Sequence, residues 1–208
     1  KTSLLWTLPP ENTLFVDLEA GGLSVQGWRG DSIEVRTWEF ARDLACFLGG
    51  PNPAMRAEQN YSQAHYDAIA DAFHEGMHPG KYQTIFVDSI TVASRLCWQW
   101  CTGQPEALSE KTGKPDTRGT YGFLGREMIA WLTQLQHVKN RNIWFVGLLD
   151  AKKDDFGRLT HEPQIEGSKT GLELPGIMDQ VVTMTELTGE DGAPYRAFVC
   201  TRPNAWGY

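Results

Sequence analysis

The chain has 208 residues, with 19 Lys and Arg against 26 Asp and Glu, for a net charge of −7. That length supports one large domain with a buried core; the charge makes the surface as a whole repel nucleic acid, so only a local basic patch or loop would bind it. Four scattered cysteines are too few for a secreted disulfide framework, and neither a signal peptide nor an apolar run of about 20 residues is visible, so a soluble cytoplasmic protein is expected.

Leu4 to Leu8 is a short apolar stretch stopped by Pro9-Pro10, as in the first turns of a helix. Thr13 to Leu18 reads as a buried strand, Ser32 to Thr37 as another, and Glu39 to Leu48 as a helix ended by Gly49-Gly50-Pro51. Tyr61 to Phe73 has helical spacing. Thr84 to Asp88 is nearly all apolar, without alternation, which predicts a parallel strand covered on both faces; a helix follows from Ile90 to Trp100. Thr102 to Gly119 is rich in Gly and Pro, lacks apolar periodicity and is expected to be a long mobile loop. Leu124, Met128, Trp131, Leu132, Leu135 and Val138 mark the clearest amphipathic helix. Asn142 to Leu149 is a further buried strand ending at Asp150, and Ala151 to Lys169 a second polar loop. Val181 to Leu187 and Tyr195 to Cys200 flank Gly189-Glu190-Asp191-Gly192 as a closing hairpin. Together these predict an α/β fold over residues 1–208: a mostly parallel twisted sheet, helices on both faces, and an antiparallel hairpin at one edge.

Ligands of open α/β sheets sit beyond the carboxyl ends of the strands, where Asp17, Glu19, Asp88 and Asp150 all fall. Lys1-Thr2-Ser3 begins the chain where the glycines of the pattern G-x-x-x-x-G-K-[ST] would have ended. The chain therefore reads as a phosphate-loop NTPase lacking its first strand and glycine loop, and cut at its C-terminus too. Lys1 would set a cation against the β- and γ-phosphates of ATP, and the Thr2 hydroxyl would ligate Mg²⁺. Asp88 would hold Mg²⁺ directly or through water, cap the next helix, or do both. Glu19 lies two residues beyond Asp17, on the same face if the strand persists. It would orient or deprotonate the water that attacks the γ-phosphate, or be an ordinary solvated acid. Gly21-Gly22 would let the backbone turn sharply behind it. A missing central strand predicts an apolar slot in the sheet with unpaired backbone groups.

The two polar loops carry Lys111, Lys114 and Arg118, and Lys152, Lys153, Arg158 and Lys169. These would grip a nucleic-acid backbone or reach a neighbour's phosphate, or simply be solvated. Aromatic stacking would favour single strands, but the tryptophans mostly sit in apparent helix cores. Cys97 and Cys101 read as core thiols rather than a metal pair. His74 and His78 are separated by Gly76 and followed by Pro79, which argues against a metal site.

The order Lys1-Thr2, Phe-Val-Asp17-Leu-Glu19, Ile-Phe-Val-Asp88-Ser89 and Trp-Phe-Val-Gly-Leu-Leu-Asp150 resembles the RecA-like ATPases. The stretches Pro105 to Arg118 and Pro163 to Gly176 look typical of phage-encoded nucleotide-binding proteins of DNA recombination and single-strand annealing. The resemblance covers nearly the whole chain. It implies a three-layer fold and an ATP site between subunits of a ring or filament in the cytoplasm of a bacterial host. Lys1 and Thr2 would be the phosphate-loop pair, Glu19 the catalytic glutamate and Asp88 the Mg²⁺-organising aspartate, with the basic loops near single-stranded DNA. Asp150 stands where such proteins commonly carry a polar amide. Two alternatives remain open: a nucleotide-dependent switch or scaffold with little turnover, and a DNA-independent loading or packaging NTPase.

Overall fold

The computed structural model describes residues 1–153, 156–157 and 159–200, apart from the side chains of Thr160, Ser168 and Lys169. Four parallel strands form the sheet: β1 (Thr13–Asp17), β2 (Asp31–Glu34), β3 (Thr84–Asp88) and β4 (Asn142–Val146), in the order β2-β1-β3-β4. Five α-helices accompany them: α1 (Trp38–Gly49), α2 (Gln63–His74), α3 (Ile90–Thr102), α4 (Thr117–Gln136) and α5 (Ser168–Ile177). Two hairpins stand apart from the sheet. One joins β5 (Leu149–Lys153) to β6 (Leu159–Pro163), the other β7 (Thr183–Thr188) to β8 (Pro194–Val199). The closing hairpin is thus present as expected, but as a separate ribbon.

Every residue of β1 and β3 is buried, and the period of two sorts their side chains between two cores. Leu14, Val16, Ile85 and Val87 pack with Trp38, Leu44, Cys97, Leu124, Met128, Trp131 and Leu132 from α1, α3 and α4. Phe15 and Phe86 face the other way, their ring centroids 6.2 Å apart. They meet Leu5 from a 3-10 turn at Thr2–Thr7 and Val25 from another at Gly21–Val25. Among the described residues, short turns rather than long helices cover the second face, and the fully buried Leu5 holds the Thr2–Thr7 turn against the sheet.

Four of the five α-helices begin at a side-chain cap, which satisfies backbone N–H groups that the first turn leaves unpaired. Thr37 accepts from the Phe40 amide, Ser62 from His65, Ser89 from Val92, and Asp116 from Arg118 and Gly119. The Asp116 cap corrects only the end of the expected loop over Thr102 to Gly119. Its last residues are already helical, and the remainder is tied by a 3-10 turn at Pro105–Ala107 and a Leu108–Pro115 bridge. The expected polar loop over Ala151 to Lys169 is likewise a hairpin and the first turn of α5.

No slot interrupts the sheet. β1 pairs directly with β2 and β3, and β3 with β4, so any unpaired strand position lies at the edges of this sheet rather than between these four strands. β2 and β4 are the edge strands, and on β4 Trp144 is 42% exposed. Cys97 and Cys101 are fully buried, as read from the sequence, with their sulfurs 4.0 Å apart. No described helix is long and apolar enough to cross a membrane.

Leu132 lies on the α4 face that meets the sheet and is fully buried. Leu132→Ala should lower the unfolding free energy by about 2–5 kcal/mol in urea titrations. Leu172→Ala, at a side chain 77% exposed, should change it by no more than about 0.5 kcal/mol.

Candidate nucleotide site

β1 and β3 run in register with Asp17 level with Asp88, so both strands deliver a carboxylate to the same rim. Asp88 is fully buried. One of its oxygens accepts a hydrogen bond from Lys1 Nζ at 3.0 Å, and the other is bonded by the Thr2 hydroxyl. Lys1 also pairs with Glu19, whose second oxygen accepts a 2.5 Å hydrogen bond from Ser89 Oγ. Lys1, Thr2, Glu19, Asp88 and Ser89 therefore form one connected cluster, spanning 88 positions of sequence separation from end to end.

Local structure explains how each arrives. Ser89, not Asp88, caps α3, so both Asp88 oxygens stay available to Lys1 and Thr2. Glu19 is not carried by a persisting strand, since β1 ends at Asp17. Instead the Asp17 carboxylate accepts the amides of Glu19 and Gly21, each at 3.0 Å, and folds the chain back. Asp17 thus shapes the turn. The left-handed residue of that turn is Ala20 (φ 56°) rather than either glycine. Gly21 serves a different need: a Cβ there would stand 3.1 Å from Thr2 Oγ1, so its lack of a side chain lets the turn approach the Thr2 hydroxyl.

Burial pushes the Glu19 pKa up, but the hydrogen bonds from Lys1 and Ser89 outweigh it, with help from the charges of Lys1 and Arg95, and hold the carboxyl below its ordinary value. Burial pushes Lys1 down, but its bonds to Glu19 and Asp88 and their charges win, and the ammonium is held above the ordinary lysine value. Arg95 and Ser89 are the groups that reading the sequence missed as site residues. Ser89 carried a signal, because it follows Asp88 at a helix start. The exposed Arg95 carried none.

The remaining candidates separate from this cluster. Ser3 is exposed on its 3-10 turn. Asp150 is corrected: the carboxyl end of β4 is Val146, level with Asp88, whereas Asp150 is exposed within β5, opposite Glu162. Lys111, Lys114 and Arg118 are exposed around the start of α4. Lys152 donates to Glu162 at 2.5 Å, and Lys153 is exposed in β5. Arg158 and the Lys169 side chain lie outside the described residues.

The donor set fits Mg²⁺ bound together with a phosphate. A buried carboxylate and a hydroxyl already in contact supply hard oxygens, and Mg²⁺ keeps waters and phosphate oxygens for its other positions. A closed all-protein cage does not form among the described residues, where no group of three or more His, Cys, Asp or Glu could hold a metal.

The Lys1–Glu19 pair has a pH signature. Since Glu19 titrates below its unfolded value, its contribution to stability is complete above the unfolded carboxylate range and fades as pH falls through the depressed value. The raised Lys1 contributes below the unfolded lysine value and loses that contribution as pH rises through its folded one. Lys1→Met should therefore move the Glu19 midpoint upward in a carboxyl carbon-13 NMR titration, because burial remains while the main opposing partner is gone. An unmoved midpoint would refute the pairing.

The family model described as an AAA domain matches residues 1–204. No match emerges among curated proteins or among solved structures. A lysine and hydroxyl pair at the rim, two acidic strand ends beside it and a parallel four-stranded sheet agree with that assignment. The chain belongs to the AAA domain family, and its fold is that of a P-loop NTPase.

Proposed function

We propose that this domain hydrolyses ATP and uses the cycle to control its hold on single-stranded DNA, in recombination or strand annealing. The observation that carries the hydrolytic part is the cluster itself: Lys1 and Glu19 joined beside a buried Asp88. Lys1 would turn its ammonium to the β- and γ-phosphates. Glu19, released from it, would accept a proton from the attacking water as the water–phosphorus bond forms and the bond to the leaving diphosphate breaks. Ser89 would keep Glu19 oriented through its hydroxyl. Thr2 and Asp88 would hold Mg²⁺, which when bound neutralises phosphate charge.

The DNA part is supported by the exposed Lys111, Lys114 and Arg118, which follow α3, the helix whose capping residue bonds Glu19. Self-association into a ring or filament belongs to the same proposal. Trp144 on the edge strand β4, and Leu148 and Leu149 in the segment that leaves it, are each about two-fifths exposed, the kind of apolar surface that proteins often cover. One alternative draws on a specific contact: Glu19 tied to Lys1 also suits a nucleotide-driven switch with little turnover.

Hydrolysis by the full chain, measured with and without oligo(dT), tests the whole reading. Stimulation by the oligonucleotide is expected. Glu19→Gln should cut kcat by about 10²–10⁴-fold while nucleotide binding persists; an unchanged rate would remove Glu19 from the chemistry. Replacing Lys111, Lys114 and Arg118 together should flatten the dependence of log affinity on log salt by roughly 2, at about 0.7 per lost single-strand phosphate contact. An unaltered slope would place DNA elsewhere.

A further inference from the structure

Two aromatic pairs bridge α3 and α4, and they differ in how they end. Trp100 and Phe123 lie 5.5 Å apart. Arg42 covers the Trp100 ring at 5.2 Å and Arg126 the Phe123 ring at 5.5 Å, so this pair is closed at both ends by cations of the same domain. Trp98 and Tyr121 are stacked more tightly, 4.2 Å apart at an interplanar angle of 26°. Among the described residues no cation lies over either ring, and Tyr121 is 42% exposed.

The surroundings of this second pair are basic. Arg118 stands one helical turn before Tyr121 and Arg95 one turn before Trp98, and both are exposed. Lys114 lies two residues ahead of the Asp116 cap of α4. Residues 95–126 hold five Lys and Arg against three Asp and Glu, a local +2 in a chain of net −7. Gly122, beside Tyr121, has open space around it: its nearest neighbour to an added Cβ would be Arg126 Nη1 at 4.0 Å.

We infer that the Trp98–Tyr121 pair is a stacking platform for an unpaired base of single-stranded nucleic acid, with Arg118, Lys114 and Arg95 positioned for the flanking phosphates. Tyr121 presents one ring face, and Trp98 backs the other. A base stacks on such a face whatever its identity, whereas a paired base inside a duplex does not offer its own. The phosphates that flank a base meet a positive patch on an otherwise negative surface. The inference rests on the single-stranded DNA reading proposed above and names where that strand lies.

Binding of fluorescein-labelled oligo(dT) to the full chain by anisotropy tests it, with thermal unfolding as a check on the fold. Tyr121→Ala should weaken binding about 5- to 150-fold, the equivalent of one lost stacking contact, while Tyr121→Phe, which keeps the ring, stays within about twofold of the wild type. Equal affinity of Tyr121→Ala and wild type would overturn the platform and leave the single-stranded DNA reading standing. Equal weakening by Ala and Phe would also overturn it, because the ring would then not be what matters. So would an equal loss of affinity for duplex DNA. Absence of any oligo(dT) binding by the wild-type chain would refute both the platform and the reading on which it rests.

Discussion

The structure turns on a fully buried carboxylate. Asp88 is taken out of water at the end of a strand covered on both faces, and an uncompensated buried charge costs several kcal/mol. Its compensation arrives from the first residues of the chain: the Lys1 ammonium on one oxygen and the Thr2 hydroxyl on the other. For that to hold, the segment that carries Lys1 and Thr2 must be held against the sheet. Leu5 does the pinning by burying itself against Phe15, Phe86 and Val25. The apolar cluster on the second face therefore also positions Lys1 and Thr2 next to Asp88. Gly21 is the counterpart on the opposite wall, leaving room for Thr2.

How much of this was legible in the sequence differs with the range of the interaction. β3 was read to its last residue because an unbroken apolar run ending in Asp records burial on both faces. The core face of α4 was likewise visible in the spacing of Leu124, Met128, Trp131, Leu132 and Leu135, all buried. Of the site, Lys1, Thr2, Glu19 and Asp88 come together as a motif reading predicts. Asp150 does not, because the strand ends at Val146 and the rest of the apolar run to Leu149 leads into a separate hairpin. The roles of neighbouring residues were also hidden. Ser89 rather than Asp88 caps α3 while Asp88 bonds Lys1 and Thr2, which are far away in sequence, and the left-handed Ala20 follows from Asp17 bonding the Glu19 and Gly21 amides. The stretch from Thr102 to Gly119 reads as loop through Gly103, Pro105, Gly113, Pro115 and Gly119, and only its last three residues are α-helical, where the single Asp116 cap starts α4.

α3 is the element these interactions share. Its capping Ser89 bonds Glu19, and Arg95 adds charge to the same carboxylate. Thr91 Oγ1 accepts the amide of Leu148 at 3.0 Å, ahead of β5, and Ser94 Oγ accepts that of Glu166 at 3.0 Å, ahead of α5. Trp98 and Trp100 then join it to α4. One thirteen-residue helix thus touches the candidate base, the link from β4 to the β5–β6 hairpin, the approach to α5 and the aromatic seam. A rigid element with partners at both ends transmits displacement between them, provided that each end has two arrangements. Under the proposed function, Glu19 bound to Lys1 and Glu19 released from it are those two arrangements at the nucleotide end.

That exchange would also set the chemistry. Paired with Lys1, Glu19 is held below its ordinary pKa, so it stays ionised but is a weak proton acceptor. An incoming phosphate is a better anion for Lys1 than a partly exposed carboxylate, since it carries more charge and several acceptor oxygens. Once Lys1 turned to it, the Lys1 hydrogen bond and charge would no longer hold the Glu19 pKa down, and burial would push it upward against Ser89 and Arg95. A carboxylate with a higher pKa takes a proton from water more readily. The ligand that needs the base would therefore be the one that creates it, and the ligand-free protein would carry no activated carboxylate. Under that reading the Asp88 bond to Lys1 would let the ammonium pivot away from Glu19 without leaving the buried aspartate uncompensated.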